Sequence, residues 1–198
     1  MQGTIKNKIV SAKKLAMISI LSATAYVLMF ISVPIPVFPS FLRIDVSDVP
    51  AVLGGLSMGP LAGFSIEFIK NLFQIGSTFT GGIGEVANAL ITGTYVVIIS
   101  YMYKKIHNKK GIVLGSILGS LGMVIVGCIL NYFIVTPLYG EVFGGLDTII
   151  AMGSAINPQI YNLFTFVIWV YVPFNLIKST IMTICIFPLY NKIEKLFK

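Results

Sequence analysis

Asn175 and Lys178 stand three residues apart in Pro173-Phe-Asn-Leu-Ile-Lys178, so on a helix they share a face. The amide donates and accepts hydrogen bonds while the ammonium only donates, a pairing suited to the edge of a polar heterocycle. The competing reading is that Lys178 reaches for the membrane interface or pairs with an acid such as Glu85. Three further stretches concentrate polar residues: Phe41-Leu-Arg-Ile-Asp-Val-Ser-Asp-Val-Pro50, Thr80-Gly-Gly-Ile-Gly-Glu-Val-Ala-Asn88, and Asn131-Tyr132. Asn131 lies deep in an apolar run, where it either meets a ligand or bonds a neighbouring helix.

Other polar residues carry structural expectations. Ser47-Asp48-Val-Pro50 reads as a helix start, with Ser47 or Asp48 capping free amides and proline in the first turn. Arg43 beside Asp45 suggests a local ion pair, and Glu67 with Lys70 an internal pair at helical spacing. Gly82-Ile-Gly84-Glu-Val-Ala87 imitates a dinucleotide fingerprint, but no strand or crossover unit surrounds it, and that reading is rejected. A single histidine, His107, and no nucleophile or metal set argue against a membrane enzyme. Cys128 and Cys185 sit in apolar runs without metal-ligand spacing and read as packing residues.

The elements that position these residues belong in a bilayer. Of 198 residues, 56% are hydrophobic and 11% charged, and runs such as Leu15–Val33, Ala87–Tyr103 and Gly111–Val135 are long enough to span. The run from Leu15 is also too long for a signal-peptide core, and further spans follow it. The net charge of +7 collects at Lys6, Lys8, Lys13 and Lys14, at Lys104, Lys105, Lys109 and Lys110, and at Lys192, Lys195 and Lys198. That is a positive-inside pattern, placing both termini and the 104–110 loop in the cytoplasm, and it displaces a nucleic-acid role.

Cytoplasmic points must be separated by an even number of crossings. The chain therefore reads as one all-α membrane domain, 1–198, with six transmembrane helices at about 10–33, 48–58, 60–75, 83–105, 111–137 and 172–192. Gly59-Pro60 divides the second from the third. Residues 138–172 hold Glu141 and Asp147 but no lysine or arginine, which suits an external segment with short helices before the last span. All four polar stretches then fall at the outer half, where buried charge implies a protein interior or wet cavity. Small residues recur at Gly111, Gly115 and Gly119, and on helix one at Ala12 and Ala16 or Ser19 and Ala23, for packing within the chain or docking to a partner. Residues 34–40, Pro-Ile-Pro-Val-Phe-Pro-Ser, suit a semi-rigid flap.

In these stretches, with Gly59-Pro60 and Lys70-Asn71, the chain resembles the riboflavin-specific substrate-binding components of energy-coupling-factor (ECF) transporters. The resemblance covers most of the chain in order. It implies capture of riboflavin at an outward site beneath the loop after helix one, in the cell membrane, with no cofactor and no chemistry on the ligand. It further implies a membrane coupling subunit and two cytoplasmic ATPase subunits as partners; this chain has no phosphate-binding loop of its own. A small-residue contact on helix one, Ala12 with Ala16 or Ser19 with Ala23, would dock the coupling subunit. Riboflavin's pyrimidine edge would meet Asn175 and Lys178, its ribityl hydroxyls Asn131, Glu85 and Asn88, and its dimethylbenzene end Phe38, Phe41, Leu42 and Ile44. Tyr132 joins the candidate set beside Asn131. FMN or another vitamin on the same architecture is the alternative.

Overall fold

Gly59 and Pro60 set the first structural decision. Gly59 adopts φ +98°, a value that side chains resist, and Pro60 opens the next helix where its missing N–H costs nothing. The computed structural model describes residues 12–78 and 80–196, with side chains described through residue 189. In chain order, α1 (Ala12–Met29) leads to a two-stranded hairpin, β1 (Val33–Pro34) and β2 (Arg43–Ile44), then α2 (Val49–Met58) and α3 (Pro60–Gln74). A 3-10 turn, Ile75–Ser77, precedes α4 (Ile83–Ile106), and α5 (Lys109–Leu130) follows it. Further helices follow: α6 (Thr136–Phe143), α7 (Leu146–Ser154), α8 (Leu163–Phe166) and α9 (Val172–Leu196). The expected helix start at Val10 and the terminal lysines Lys6, Lys8 and Lys198 lie outside the described residues, as do the side chains of Lys192 and Lys195.

Four helical stretches are long and apolar enough to cross a membrane: Ala12–Met29, Ile83–Ile106, Lys109–Phe143 and Leu163–Leu189. The last begins about nine residues before the expected 172, because Val172-Pro173 does not interrupt it. A π-helical turn, Val167–Tyr171, precedes the proline, and the Val172 amide bonds the Val167 carbonyl five residues back. Widening the helix absorbs the ring clash and missing donor that would otherwise break it. The same device precedes Pro137: Asn131–Val135 is π-helical, and the Thr136 amide bonds the Asn131 carbonyl. Hence α5 continues through α6 to Phe143, beyond the expected end at 137.

Packing between helices depends on close backbone approach, as lipid offers little hydrophobic drive for association. A Cβ on Gly111 would meet the Tyr103 backbone at 3.2 Å, one on Gly115 the Ile99 backbone at 2.9 Å, and one on Gly119 the Tyr95 ring at 2.9 Å. The glycine ridge of α5 therefore packs within the chain, against α4. By contrast Ala12, Ala16, Ser19 and Ala23 are all exposed on α1. Cys128 and Cys185 are half-buried free thiols against the core.

The hairpin corrects one expected pair. Val33 aligns with Ile44 and Pro34 with Arg43. The Arg43 guanidinium donates to the Ser32 hydroxyl at 2.8 Å and the Ser32 carbonyl at 2.7 Å, closing the loop's base. Asp45 instead accepts the Ser47 amide at 2.7 Å, so Arg43 is not its partner. Between the strands, Phe38 and Phe41 are buried.

Contact between α2 and α3 is the tightest of these approaches. A Cβ on Gly63 would lie 2.7 Å from Gly55 Cα and 2.8 Å from the Ala51 carbonyl, both backbone atoms. Gly63→Ala should therefore destabilise by about 1–3 kcal/mol, seen as a lower melting temperature of the detergent-purified protein. Gly76→Ala, where a Cβ meets nothing within 4 Å, should leave that temperature nearly unchanged.

Candidate functional site

The start of α2 brings together charges distant in sequence. Pro50 occupies its first turn, as expected, but the Asp48 side chain caps nothing. Its carboxylate, fully buried, instead forms ion pairs with Lys70 of α3 and with Lys178 of α9, the latter at 3.0 Å. Lys70 also meets Glu67 at 2.9 Å, the expected internal pair, and donates to the Ser47 hydroxyl at 3.1 Å. Of these three partners Lys70 hydrogen-bonds Asp48 and Ser47, and Glu67 answers its charge as an ion pair.

The network continues through amides. Asn71 donates to Glu67 Oε1 at 2.8 Å, and Asn88 of α4 donates to Asn71 Oδ1 at 2.9 Å and to Glu67 Oε1 at 3.3 Å. Asn88 Oδ1 accepts from Lys178 at 2.6 Å and from the Thr92 hydroxyl at 2.9 Å. Lys178 thus pairs with Asp48 and not with Glu85. Its hydrogen bond goes to Asn88, and Asp48 Oδ2 meets it as an ion pair without a hydrogen bond among the described residues.

Lys178 lines a cavity of about 330 Å³. Its size lies at the lower end of the range for small-molecule pockets. The ends of α1 and α3, the hairpin, the start of α4, the π turn after α5 and the start of α9 all contribute walls. Asn175, Lys178, Asn131, Glu85 and Asn88 line it together, as do Phe41 and Leu42. Asn175 is buried and its amide nitrogen has no hydrogen-bond partner among the described residues. Asn131 donates to the Gly127 carbonyl of its own helix at 2.7 Å. Its bond is therefore not interhelical, and its amide oxygen is left to the cavity. Glu85 accepts the Thr80 hydroxyl at 2.9 Å through Oε2 alone.

Three expected residues stand apart from the wall. Phe38 packs its ring edge-on behind Phe174, centroids 5.5 Å apart, and Phe174 makes the wall. Ile44 is taken into the hairpin opposite Val33 and packs on the core. Tyr132 is turned by one helical position from Asn131 and stacks edge-on with Phe133, centroids 4.9 Å apart.

Other wall residues carried no sequence signal of their own, notably Tyr139 and Tyr171. Tyr139 lies 5.1 Å from the Phe41 ring, and the Tyr171 hydroxyl accepts from Thr136 at 3.0 Å. Both tyrosines sit just beyond or at the end of a π turn. Gln74, Ser77 and Thr78 at the end of α3 add polar lining, and Arg43 and Asp45 bring opposite charges from the hairpin.

This arrangement can hold a small molecule with both polar and apolar parts. Among the described residues no cluster of metal-ligating side chains exists. The cavity lies far from the basic loop: sixteen residues separate Asn88 from Lys104 along α4, about 24 Å at the helical rise.

Known proteins resemble the chain along nearly its whole length. A riboflavin transporter of Bacillus subtilis, FmnP, is 35% identical over 92% of this chain and 92% of its own length. A riboflavin transporter of Staphylococcus aureus, RibU, is 34% identical over 100% and 99% of the two chains. The solved S component of a bacterial ECF transporter superposes with a TM-score of 0.74 at 33% identity, covering 94% of this chain and 98% of that one. The family of substrate-specific components of ECF transporters matches residues 13–190, and the chain belongs to it: a transporter component of the membrane, not an enzyme.

Proposed function

We propose that the chain captures riboflavin in this cavity from outside the cell and delivers it inward as the substrate-specific component of an ATP-driven importer. One observation carries the reading: the unspent hydrogen-bonding groups of the wall match a flavin's pyrimidine edge. That edge presents two carbonyl acceptors flanking an imide donor. The Asn175 amide nitrogen and the Lys178 ammonium supply donors, and the Asn131 amide oxygen supplies the acceptor. The free oxygen of Glu85, with Asn88 beside it, suits ribityl hydroxyls. Phe41, Leu42 and Phe174 supply apolar wall for the dimethylbenzene ring, with Phe38 as backing. The names of the Bacillus and Staphylococcus relatives point to the same ligand.

FMN fits less well. The cations of the wall are Arg43 and Lys178, and both are engaged, Arg43 with Ser32 and Lys178 with Asp48. Asp45 and Glu85 would also repel a phosphate.

Six crossings serve this function, with α2 and α3 as an antiparallel pair between α1 and α4. At 10 residues α2 spans only about 15 Å, so the pair adds an even number of crossings whatever its depth. The basic 104–110 loop, and with it both termini, is then cytoplasmic, and the cavity opens outward. The exposed stripe Ala12, Ala16, Ser19 and Ala23 suits the membrane coupling subunit, which in turn carries two cytoplasmic ATPase subunits.

Titration of the detergent-purified protein with riboflavin, followed by flavin fluorescence quenching, should give tight saturable binding without nucleotide, with FMN a weaker competitor. Replacing Asn175 and Lys178 together by alanine should weaken binding roughly 100-fold or more. Unchanged affinity in that variant sinks the pairing with the pyrimidine edge. For orientation, single cysteines at Val37 and Lys105 in a chain lacking Cys128 and Cys185 distinguish the faces. An impermeant maleimide added to intact cells should label the Val37→Cys chain and spare the Lys105→Cys chain; the reverse pattern rejects an outward cavity.

A further inference from the structure

Lys178 stands on a four-carbon stem inside a membrane protein, and such side chains drift toward the nearest interface unless held. Two atoms hold it: Asp48 Oδ2 at 3.0 Å and Asn88 Oδ1 at 2.6 Å. Asp48 is outside the cavity wall, fully buried at the head of α2. Its other oxygen is taken by Lys70, which also pairs with Glu67 and donates to Ser47. A chain of contacts therefore runs from α3 through Asp48 to Lys178, and ends on the ammonium that lines the cavity.

We infer that Asp48 is a positioning residue for ligand recognition: it sets the place and direction of the Lys178 ammonium without touching the ligand. The inference rests on the riboflavin reading of the cavity and adds to it a selectivity determinant remote from the ligand. A carboxylate is required because it bridges two ammonium groups, one through each oxygen. The isosteric amide of Asp48→Asn would keep the shape but give up the charge, offering one acceptor where two are used. Lys178 would then be held by Asn88 alone.

The test is a double-mutant cycle on riboflavin affinity in the full-length detergent-purified protein, with D48N, K178M and both together. D48N should weaken binding about 10-fold or more in the wild-type background and less than about twofold in K178M, because Asp48 acts through Lys178. D48E, which preserves the bridging carboxylate, should recover part of the loss. A loss by the same factor in both backgrounds would mean that Asp48 serves only the fold, and no loss in either would mean that Lys178 needs no anchor; each overturns the inference. Should D48N fail to fold, D48N/K70M removes one charge of each sign and is compared with and without K178M under the same criteria. Failure of the wild-type protein to bind riboflavin would remove the ligand reading itself, an outcome separate from any result of the cycle.

Discussion

The site depends on two acids and two lysines drawn into the protein interior. Asp48, Glu67 and Lys70 are completely buried and Lys178 nearly so, and an isolated charge at such depth in a bilayer costs several kcal/mol. Stability demands that each charge be answered, and the answer joins four helices: the head of α2, one face of α3, Asn88 on α4, and α9. Breaking such a cluster by removing one partner is far more costly than the cluster is stabilising, because the remaining charge stays buried. The network thus constrains the relative placement of those helices whatever its net contribution. Position distinguishes two chemically identical side chains: Lys178 lines the cavity, and Lys70 lies behind its wall.

The cavity owes its shape to irregular backbone next to that cluster. Two π turns lie on the approaches to Pro137 and Pro173, and each sets wall residues, Asn131 and Val135 on one side and Tyr171 on the other. A straight α-helix through either proline would clash with its own preceding turn. Widening by one residue removes that clash and rotates the next helical turn, so Tyr139 and Phe174 reach the cavity from helices that cross the rest of the membrane regularly. The hairpin completes the wall from the loop side, its base fixed by Arg43 on Ser32.

Much of this architecture is legible in the sequence, and the misses share a cause. The apolar runs, the Gly59-Pro60 break, the Glu67–Lys70 pair and the common wall of Asn175, Lys178, Asn131, Glu85 and Asn88 follow from spacing and from the cost of polarity in lipid. Asp48 reads as a cap because Ser-Asp-Val-Pro satisfies the local rule for a helix start, while its actual partners lie 22 and 130 residues away. The Arg43–Asp45 pair fails likewise: adjacency suggests an ion pair, and the strand register turns Arg43 toward Ser32. Val172-Pro173 reads as a boundary because a π turn leaves no mark in composition. Tyr139 and Tyr171 sit among other apolar residues, and only the fold says which aromatic rings face a cavity.

Recognition built this way has a consequence for transport. Three of the groups proposed to meet the ligand are held by contacts internal to the chain, Lys178 by Asp48 and Asn88, Asn131 by Gly127, Glu85 by Thr80, while the Asn175 amide nitrogen has no partner among the described residues. Groups fixed before the ligand arrives lose little freedom when it binds, which favours tight capture without an energy source. The same fixity works against release, since no side chain of the wall has to change partners for the site to remain intact. Delivery must therefore move the walls themselves, and the loop and helix ends that form them meet at the face remote from the basic 104–110 turn. Work done on the helices from outside the chain, as expected for a component of an ATP-driven assembly, is the physical complement of a site so thoroughly braced from within.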